Sequence, residues 1–470
     1  PSGVGRFFML KQVTKGTRHE TMNMFTQLAP ARTRMVPMFV PDSTLYPFFA
    51  QCLHAIFGSM HAASLRSITE LVWALLLCQS LHPSDLARSL PSLRAAKARQ
   101  AMRRVRRTID RSHLSSRCLT QFLIRAVLCI VPDAEIMLIL DSTRCLRWEI
   151  FTLGVRFHGR VLPISWCILP YPWPKNSFTP SVVALVNRTL SLWPQDRPVH
   201  LLADRGFPSL KLFRALDDWR ERLPLGYTIR LRAGDWVRLG NGRPTKVGDL
   251  MGGITLGTWF NYRASYQHRN KTGGAALLVV GRGLPVYPAH QMGPADQARR
   301  VVREKRRTMH LLSKGQPQAP NTDAVWALLS TADDYSQAVA RYARRFSTEG
   351  TYRDLKSWDL EVVAAHETDI DSLDGLIGLA VLAYVMQAAI GAEAGRAVEG
   401  QARARQQQWT TTDRVSVFWR GRQVIHDRGH DWRCWLSTTL TQLAYRIAPE
   451  GTLANQFCQS PTPNQTLEAA

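Results

Sequence analysis

The sequence predicts an α/β protein in which an all-α region precedes a mixed β-sheet. Apolar residues recur at helical spacing from Leu45 to Ile130, and from Ala134 onward short apolar runs alternate with helical stretches. A third observation is a Gly-rich stretch with strand-like pieces over residues 233–330. Alternating strands and helices favour a layered α/β fold, and the Gly-rich stretch predicts a β-rich insertion into it.

The charge balance indicates a polyanionic partner. The 470 residues include 60 Lys and Arg against 36 Asp and Glu, which gives a formal net charge of +24. An excess of this size repels itself in a folded protein, and it is typical of proteins that bind a polyanion. Charge alone leaves DNA, RNA and an anionic membrane open as that partner.

The protein is expected to be soluble and cytoplasmic. Its eight cysteines include no CxxC pair, which argues against a disulfide framework and a zinc knuckle. The first thirty residues show no signal-peptide pattern. The apolar stretch from Leu373 to Gly391 is marginally long enough to span a membrane, but it contains three glycines and follows a charged segment. We therefore interpret it as a buried core helix.

The N-terminal part divides into an arm and a helical domain. Residues 1–40 show no periodic pattern and predict a loosely ordered arm, whereas residues 41–130 predict an all-α domain. Helix-start signals stand at Ser64, Ser84 and Ser112.

One helical segment of this domain, residues 93–111, is strongly basic. It carries eight basic residues and one acidic residue, so little of its circumference is expected to be buried. Two interpretations stay open: a solvated charged face, or a helix that contacts phosphates. The phosphate contacts would come from Arg103, Arg104, Arg106 and Arg107.

The α/β part is predicted over residues 131–232 and 331–400, on either side of the insertion at 233–330. Strands, a hairpin and helices follow one another before the insertion, at Ala134–Asp141, Phe151–Phe157 with Arg160–Leu169, Ser177–Leu192, Val199–Asp204, a helix from Ser209, and Tyr227–Arg232. The insertion contains three strand-like pieces, at Gly252–Asn261, Ala275–Val280 and Val286–Pro288. It also contains a basic run, Arg299–Arg307, and a linker-like piece, Gly315–Asp323. Tyr335–Lys356 is a strong helical stretch, and residues 401–470 form a C-terminal region with a disordered tail.

Two acids stand at the C-terminal ends of predicted strands. Asp141 and Asp204 each follow a short apolar run, where mixed α/β sheets commonly hold their ligands. A single Asp there is more often a turn or helix cap, but two in the same setting support each other. Carboxylates so arranged can hold Mg²⁺, and two such ions about 4 Å apart can serve phosphodiester chemistry.

A third acid lies on the helical stretch. Tyr342, Arg345, Glu349 and Lys356 are offset by 0, 3, 7 and 14 residues. On a continuous α-helix these offsets fall within about 60° of one another, so the four side chains form one stripe. The stripe could hold a metal between phosphate contacts, or Arg345 and Glu349 could simply form a surface ion pair.

The spacing Tyr-x₂-Arg-x₃-Glu-x₆-Lys resembles the signature of the IS4 superfamily of bacterial insertion-sequence transposases. The stretch from Arg353 to Ser357 resembles the IS10-like branch of that superfamily. The stretches Leu138–Thr143 and Leu201–Phe207 look like the family's blocks around its first two catalytic acids. The resemblance covers about residues 40–400, and residues outside that range match nothing in the family.

The resemblance implies an RNase H-like catalytic domain with a two-metal mechanism. Asp141, Asp204 and Glu349 would be both catalytic residues and ligands of Mg²⁺, for which Mn²⁺ could substitute. Tyr342, Arg345 and Lys356 would contact DNA near the scissile phosphate. The partners implied are double-stranded DNA, as terminal inverted repeats and as target, and a second copy in a homodimer. The all-α domain would bind DNA, and the protein would associate with the nucleoid.

Trp326 carries a further implication of the resemblance. It stands in a Trp-x-Leu-Leu-x-Thr block at the end of the insertion, where in hairpin-forming relatives a Trp stacks on a flipped base. A Trp at a strand start is otherwise a core residue. Two other functions stay open: an RNase H-like nuclease outside transposition, and a catalytically dead DNA-binding protein.

Overall fold

A computed structural model describes residues 45–57, 60–90, 98–110, 112–240, 242–255, 257–282, 325–367, 369–404, 416–426 and 440–441. Several predicted features lie outside these residues. They are the arm over residues 1–40, the piece Val286–Pro288, the basic run, the linker-like piece and the tail beyond Phe457.

The helical prediction for the region before the sheet is confirmed. Its helices are α1 (Leu45–Ile56), α2 (Ala62–Cys78), α3 (Pro83–Arg88), α4 (Ala98–Ile109) and α5 (Ser116–Ile130). The helices start one to four residues away from the Ser signals. Other side chains cap α2 and α5, whereas α3 has no side-chain cap. The hydroxyl of Ser115 accepts the amide of Cys118, and the ring of His61 accepts the amide of Ala63.

A mixed ten-stranded sheet follows, which confirms the α/β fold class. Its strands are β1 (Ile136–Cys145), β2 (Trp148–Phe157), β3 (Arg160–Pro170), β4 (Val199–Ala203), β5 (Leu225–Arg230), β6 (Trp236–Leu239), β7 (Pro244–Lys246), β8 (Trp259–His268), β9 (Lys271–Arg282) and β10 (Val325–Ser330). The strand order is β3-β2-β1-β4-β5-β10-β9-β8-β6-β7.

The first five strands combine two kinds of pairing. Strands β1, β2 and β3 form antiparallel pairs, and the predicted hairpin turns at His158 and Gly159, both with positive φ. Strands β1, β4 and β5 pair in parallel. The parallel strands are connected by α6 (Phe178–Ser191) and α7 (Leu210–Arg220), and Ser209 caps α7 as predicted.

The strands of the predicted β-rich insertion extend the same sheet. Strand β10 pairs with both β5 and β9, so β6 to β9 continue the hydrogen-bonded ladder beyond β5. The piece predicted at Gly252–Asn261 becomes a strand only from Trp259, and the short helix α8 (Val247–Met251) precedes it. The predicted piece Ala275–Val280 lies inside β9.

Helices cover both faces of the sheet. Helix α7 packs on one face, where Phe213 contacts Tyr266 of β8 with ring centroids 4.9 Å apart. The other face receives α9 (Tyr335–Ala343) and α10 (Ser347–Lys356), which a short 3₁₀ turn connects. Thr351 of α10 fixes this layer, since its hydroxyl accepts the amide of Val161 at 2.7 Å and donates to the carbonyl of the same residue at 3.1 Å.

The apolar stretch from Leu373 lies within the long helix α12 (Ile370–Ala404), after α11 (Leu360–His366) and before α13 (Val417–His426). Its segment Ile370–Gly395 is long and apolar enough to cross a membrane, but it is buried inside the protein. Gly378 and Gly391 allow this packing, because a Cβ at either residue would stand within 2 Å of the carbonyl oxygen of Leu114 or Val417. The burial agrees with the predicted core helix and is consistent with a soluble protein.

Candidate active site

The register of the sheet brings Asp141 and Asp204 side by side. The parallel pairing of β1 with β4 ends at the pair Leu140 and Ala203. Asp141 directly follows Leu140, and Asp204 directly follows Ala203. Contrary to the prediction, Asp141 does not end its strand, because β1 continues to Cys145 in pairing with β2. It stands instead where the parallel pairing ends, so both acids lie at the same edge of the parallel ladder.

Both acids face the layer that contains α9 and α10. Side chains alternate along a strand, so Asp141 shares its face with Ile139 and Asp204 shares its face with Leu202. Ile139, Leu202 and Val161 form one buried cluster on that face. Arg230, which follows Ile229 on β5, has its guanidinium 4.0 Å from Asp204.

Tyr342 and Arg345 hold the two acids. The Tyr342 hydroxyl donates to Asp204 Oδ1 at 2.9 Å, and Arg345 Nη1 donates to Asp141 Oδ2 at 2.9 Å. Nη2 of the same Arg345 lies 4.0 Å from Asp204 Oδ2, so one guanidinium bridges the pair. Both side chains are buried, with Tyr342 0% and Arg345 8% exposed. Two of the residues predicted to bind DNA, Tyr342 and Arg345, therefore contact the predicted catalytic acids directly.

Thr348 completes this contact, although no sequence motif singles it out. Its hydroxyl donates to Asp141 Oδ2 at 2.6 Å and lies 3.1 Å from the Arg345 carbonyl oxygen. Asp141 Oδ1 accepts the amide of Ser142 at 2.9 Å. Only the helical spacing of Thr348 from Arg345 could have indicated that both face the same acid.

The pKa values of the two carboxyl groups shift in opposite directions, because burial outweighs the neighbouring donors at Asp141 but not at Asp204. Burial raises the pKa of Asp141 above its ordinary value, and Arg345 and Thr348 oppose this rise only in part. Burial also acts to raise the pKa of Asp204, but Arg345, the Arg205 amide, Tyr342 and Arg230 together hold that pKa below its ordinary value. One acid of the pair thus holds its negative charge more strongly than the other.

The predicted single stripe is divided by the 3₁₀ turn at Arg344–Phe346. Each residue of a 3₁₀ turn advances about 120°, against about 100° in an α-helix, so three residues add roughly 60° of rotation. Glu349 lies exposed in the first turn of α10, and Lys356 is half-buried in its last turn. The helical stretch was predicted correctly, but the continuity that the stripe requires was wrong.

The donor set fits Mg²⁺ in chemistry. Asp141 and Asp204 offer carboxylate oxygens at neighbouring strand positions, and hard oxygen ligands are those that Mg²⁺ prefers. Glu349 directly follows Thr348, which contacts Asp141, so its backbone lies close to the pair. Within the described ranges no three His, Cys, Asp or Glu side chains are grouped as a metal site requires. These residues would hold a metal after Glu349 turns toward the two Asp residues.

Trp326 lies beside this site in an aromatic cluster. Its ring centroid is 5.0 Å from that of Tyr342 and 6.0 Å from that of Phe346, and its side chain is 8% exposed. This packing favours the core interpretation, while stacking on a base stays a prediction. Phe346 is 40% exposed, and the guanidinium of Arg345 lies over its ring at 5.2 Å.

The basic helix α4 is more buried than the sequence suggested. Ala101, Val105 and Ile109 lie on its buried face, so the expectation that little of it would be buried is wrong. These three positions follow the spacing of an amphipathic helix, which the high Arg content concealed. Arg104 pairs at 2.8 Å with the buried Glu70, whereas Arg103, Arg106 and Arg107 are exposed.

Comparison of the chain with protein-family models and with curated proteins finds no match. The resemblance to insertion-sequence transposases therefore rests on the motif residues of the chain itself, and any functional proposal depends on those residues and on the geometry of the site.

Proposed function

We propose that the protein is a DNA transposase of the IS4 superfamily with an RNase H-like core. The observation that carries the proposal is the junction of three sequence blocks at one site. Asp141 and Asp204 stand in register on neighbouring strands, and Tyr342 and Arg345 of the signature segment bond to them. The strand order β3-β2-β1-β4-β5, with acids on the central strands, is what we expect of such a core.

In this proposal Asp141, Asp204 and Glu349 hold Mg²⁺, for which Mn²⁺ can substitute. Bound Mg²⁺ would activate the attacking oxygen and stabilise the leaving one. Arg345 and Arg230 supply positive charge beside the acids, where phosphate oxygens gather. Among the described residues the Nε of Arg345 is buried without a hydrogen-bond partner. Such a donor is costly to leave unpaired, and a phosphate oxygen would satisfy it once the side chain moves, since the atom is enclosed in this structure.

The reaction would proceed in two displacements at phosphorus. Water first attacks the phosphodiester at the end of the element, so that the P–O3′ bond breaks and a 3′-OH is released. That hydroxyl then attacks a target phosphodiester, forms a new P–O bond and displaces a 3′ oxygen of the target strand. Two ends must be cut together, so the working form is proposed to be a homodimer on double-stranded DNA, in the cytoplasm with the nucleoid.

The test uses purified full-length protein, Mg²⁺ and duplexes that carry the ends of its own element. We expect nicking at the end followed by joining to a second duplex. If a hairpin product forms, its selective loss in Trp326→Phe would assign Trp326 to a flipped-base step. Asp204→Asn should abolish cleavage and leave duplex binding nearly intact, because it removes one charge without changing volume.

The matched control is Asp218→Asn, an exposed acid on α7 away from the site, which should cleave like the unaltered protein. If the protein binds DNA but neither nicks nor joins it, the proposal is wrong and the protein is a catalytically dead DNA-binding protein. Cleavage of an RNA–DNA hybrid without joining would favour a nuclease outside transposition.

A further inference from the structure

The outer strands of the sheet present three basic side chains and one tryptophan on one face. We call this set the basic sheet face and define it as Trp236 and Arg238 of β6, Lys246 of β7 and Arg263 of β8. Trp236 is 49% exposed, Lys246 and Arg263 are exposed, and Arg238 is half-buried. Arg238 Nη1 donates to the carbonyl of Gly242 at 3.0 Å, which fixes it at the turn between β6 and β7.

The strand register shows that these side chains share a face. Val237 and its cross-strand partner Tyr266 point into the main core beneath α7, so Trp236 and Arg238 on either side of Val237 point away from it. Lys246 pairs with Trp236 across the strands. Ala264 also belongs to that core, and Arg263 beside it therefore points to the same side as Trp236.

This is also the face that carries the two acids. Trp259 lies four residues before Arg263 on β8 and thus on the same face. Its ring contacts Trp326, and Trp326 contacts Tyr342, whose hydroxyl bonds to Asp204. The path from Asp204 on β4 to β6 crosses five strand spacings, which amounts to about 24 Å at about 4.8 Å each.

The charge of these strands is one-sided. Strands β6, β7, β8 and β9 contain no Asp or Glu, whereas each of them contributes at least one Lys or Arg. The acid next to β6, Asp235, accepts the amide of Arg232 and the hydroxyl of Tyr266, so it is engaged on the opposite side. A basic face without acids complements phosphates, and the exposed ring of Trp236 suits contact with the sugars between them.

We propose that the basic sheet face binds the duplex whose end lies at Asp141 and Asp204. The proposal rests on the proposed function, since it extends the DNA path of that same site. At 3.4 Å per base pair, a separation of about 24 Å corresponds to roughly seven base pairs. The contacts go to phosphates, so the face holds and orients DNA without reading its sequence.

The experiment measures binding of a 30-base-pair duplex by fluorescence anisotropy across a KCl series without divalent ions. The test variant is Lys246→Gln with Arg263→Gln. We expect the slope of log K against log salt to become shallower by about 1.8, at about 0.9 for each lost phosphate contact, and affinity at low salt to fall at least about fivefold. Lys246→Arg with Arg263→Lys should restore both.

The matched control is Lys211→Gln with Arg214→Gln, which removes the same charge from α7 on the opposite face of the sheet. Its salt slope should equal that of the unaltered protein. Equal slopes for the test and control variants would overturn the proposal. So would a change in the molecular mass of the test variant by light scattering with unchanged DNA binding, which would assign the face to contacts between copies of the chain. Cleavage by the unaltered protein is measured separately, so failure of this inference and failure of the proposed function are distinguishable.

Discussion

The segment from Tyr342 to Lys356, which carries the Tyr-Arg-Glu-Lys spacing, has two halves that differ in what they contact. Tyr342 and Arg345 are buried and bonded to Asp204 and Asp141, whereas Glu349, four residues beyond Arg345, is exposed. The 3₁₀ turn at Arg344–Phe346 separates them. Tyr342 and Arg345 therefore stabilise the site in the free protein, whereas the Glu349 side chain is exposed to solvent. A motif that reads as one functional unit in sequence has two physical roles.

The largest expected effect is on activity alone, at Glu349. If Glu349 holds metal as proposed, Glu349→Gln should reduce cleavage by more than the roughly 100-fold that loss of an outer-shell partner of a metal costs. Its melting temperature should equal that of the unaltered protein, since the side chain is exposed. Gel-based cleavage and calorimetry measure the two effects. A clear fall in melting temperature would mean that both halves of the segment stabilise the fold.

Arg345 should affect both activity and stability. Arg345→Gln leaves the half-buried Asp141 and Asp204 without their shared counter-charge. Breaking a fully buried pair costs about 3–5 kcal/mol of unfolding free energy, so we expect a loss of about 2–3 kcal/mol here. Denaturant unfolding measures this loss, and Arg345→Lys, which keeps the charge, should recover part of it. A stability equal to that of Glu349→Gln would remove the distinction between the halves.

Thr348 lies at the boundary between the halves and should show a smaller effect. Thr348→Val keeps the shape but removes the hydrogen bond to Asp141, a bond to a charged group worth about 1.5–3 kcal/mol. We expect a loss of that size in unfolding free energy and roughly tenfold slower cleavage, since about 1.36 kcal/mol in a barrier is tenfold in rate. Thr348→Ser serves as the control that retains the hydroxyl. Unchanged cleavage in the Val variant would show that this bond does not orient Asp141.

The basic helix α4 offers the same comparison between a paired and an exposed side chain, with the smallest expected change in unfolding free energy. Arg104 pairs with the buried Glu70, and Arg103 beside it is exposed. Arg104→Gln should lower the unfolding free energy by about 1 kcal/mol or more, because Glu70 keeps its charge. Arg103→Gln should change it by less than about 0.5 kcal/mol. Equal values for the two variants would contradict the pairing.

Much of the half of the sheet that carries Asp141 and Asp204 could be predicted from periodicity. The apolar runs that lead to Asp141 and Asp204 are strands, and the hairpin at His158 turns as its residues indicate. The register was not predictable, because alternation along one strand does not specify which residue of the neighbouring strand it faces. The adjacency of the two acids depends on that register.

The limits of prediction at the site have a common physical cause. The burial of Arg345 and the role of Thr348 depend on how α9 and α10 pack on the sheet, and a helical pattern does not encode a local 3₁₀ turn. In α4 the spacing of Ala101, Val105 and Ile109 was visible in the sequence, but the abundance of Arg outweighed it. Local composition and periodicity do not specify how one element packs on the next.

The bridge that Arg345 makes between the two acids would separate folding from the metal loading proposed for this site. Two carboxylates held on adjacent strands repel each other unless a cation lies between them, and here the chain supplies its own. A site whose charges are balanced internally can be synthesised, folded and stored without metal, unlike a structural zinc site that needs its ion to fold. The fold would then be independent of cellular Mg²⁺, and only the chemistry would depend on it.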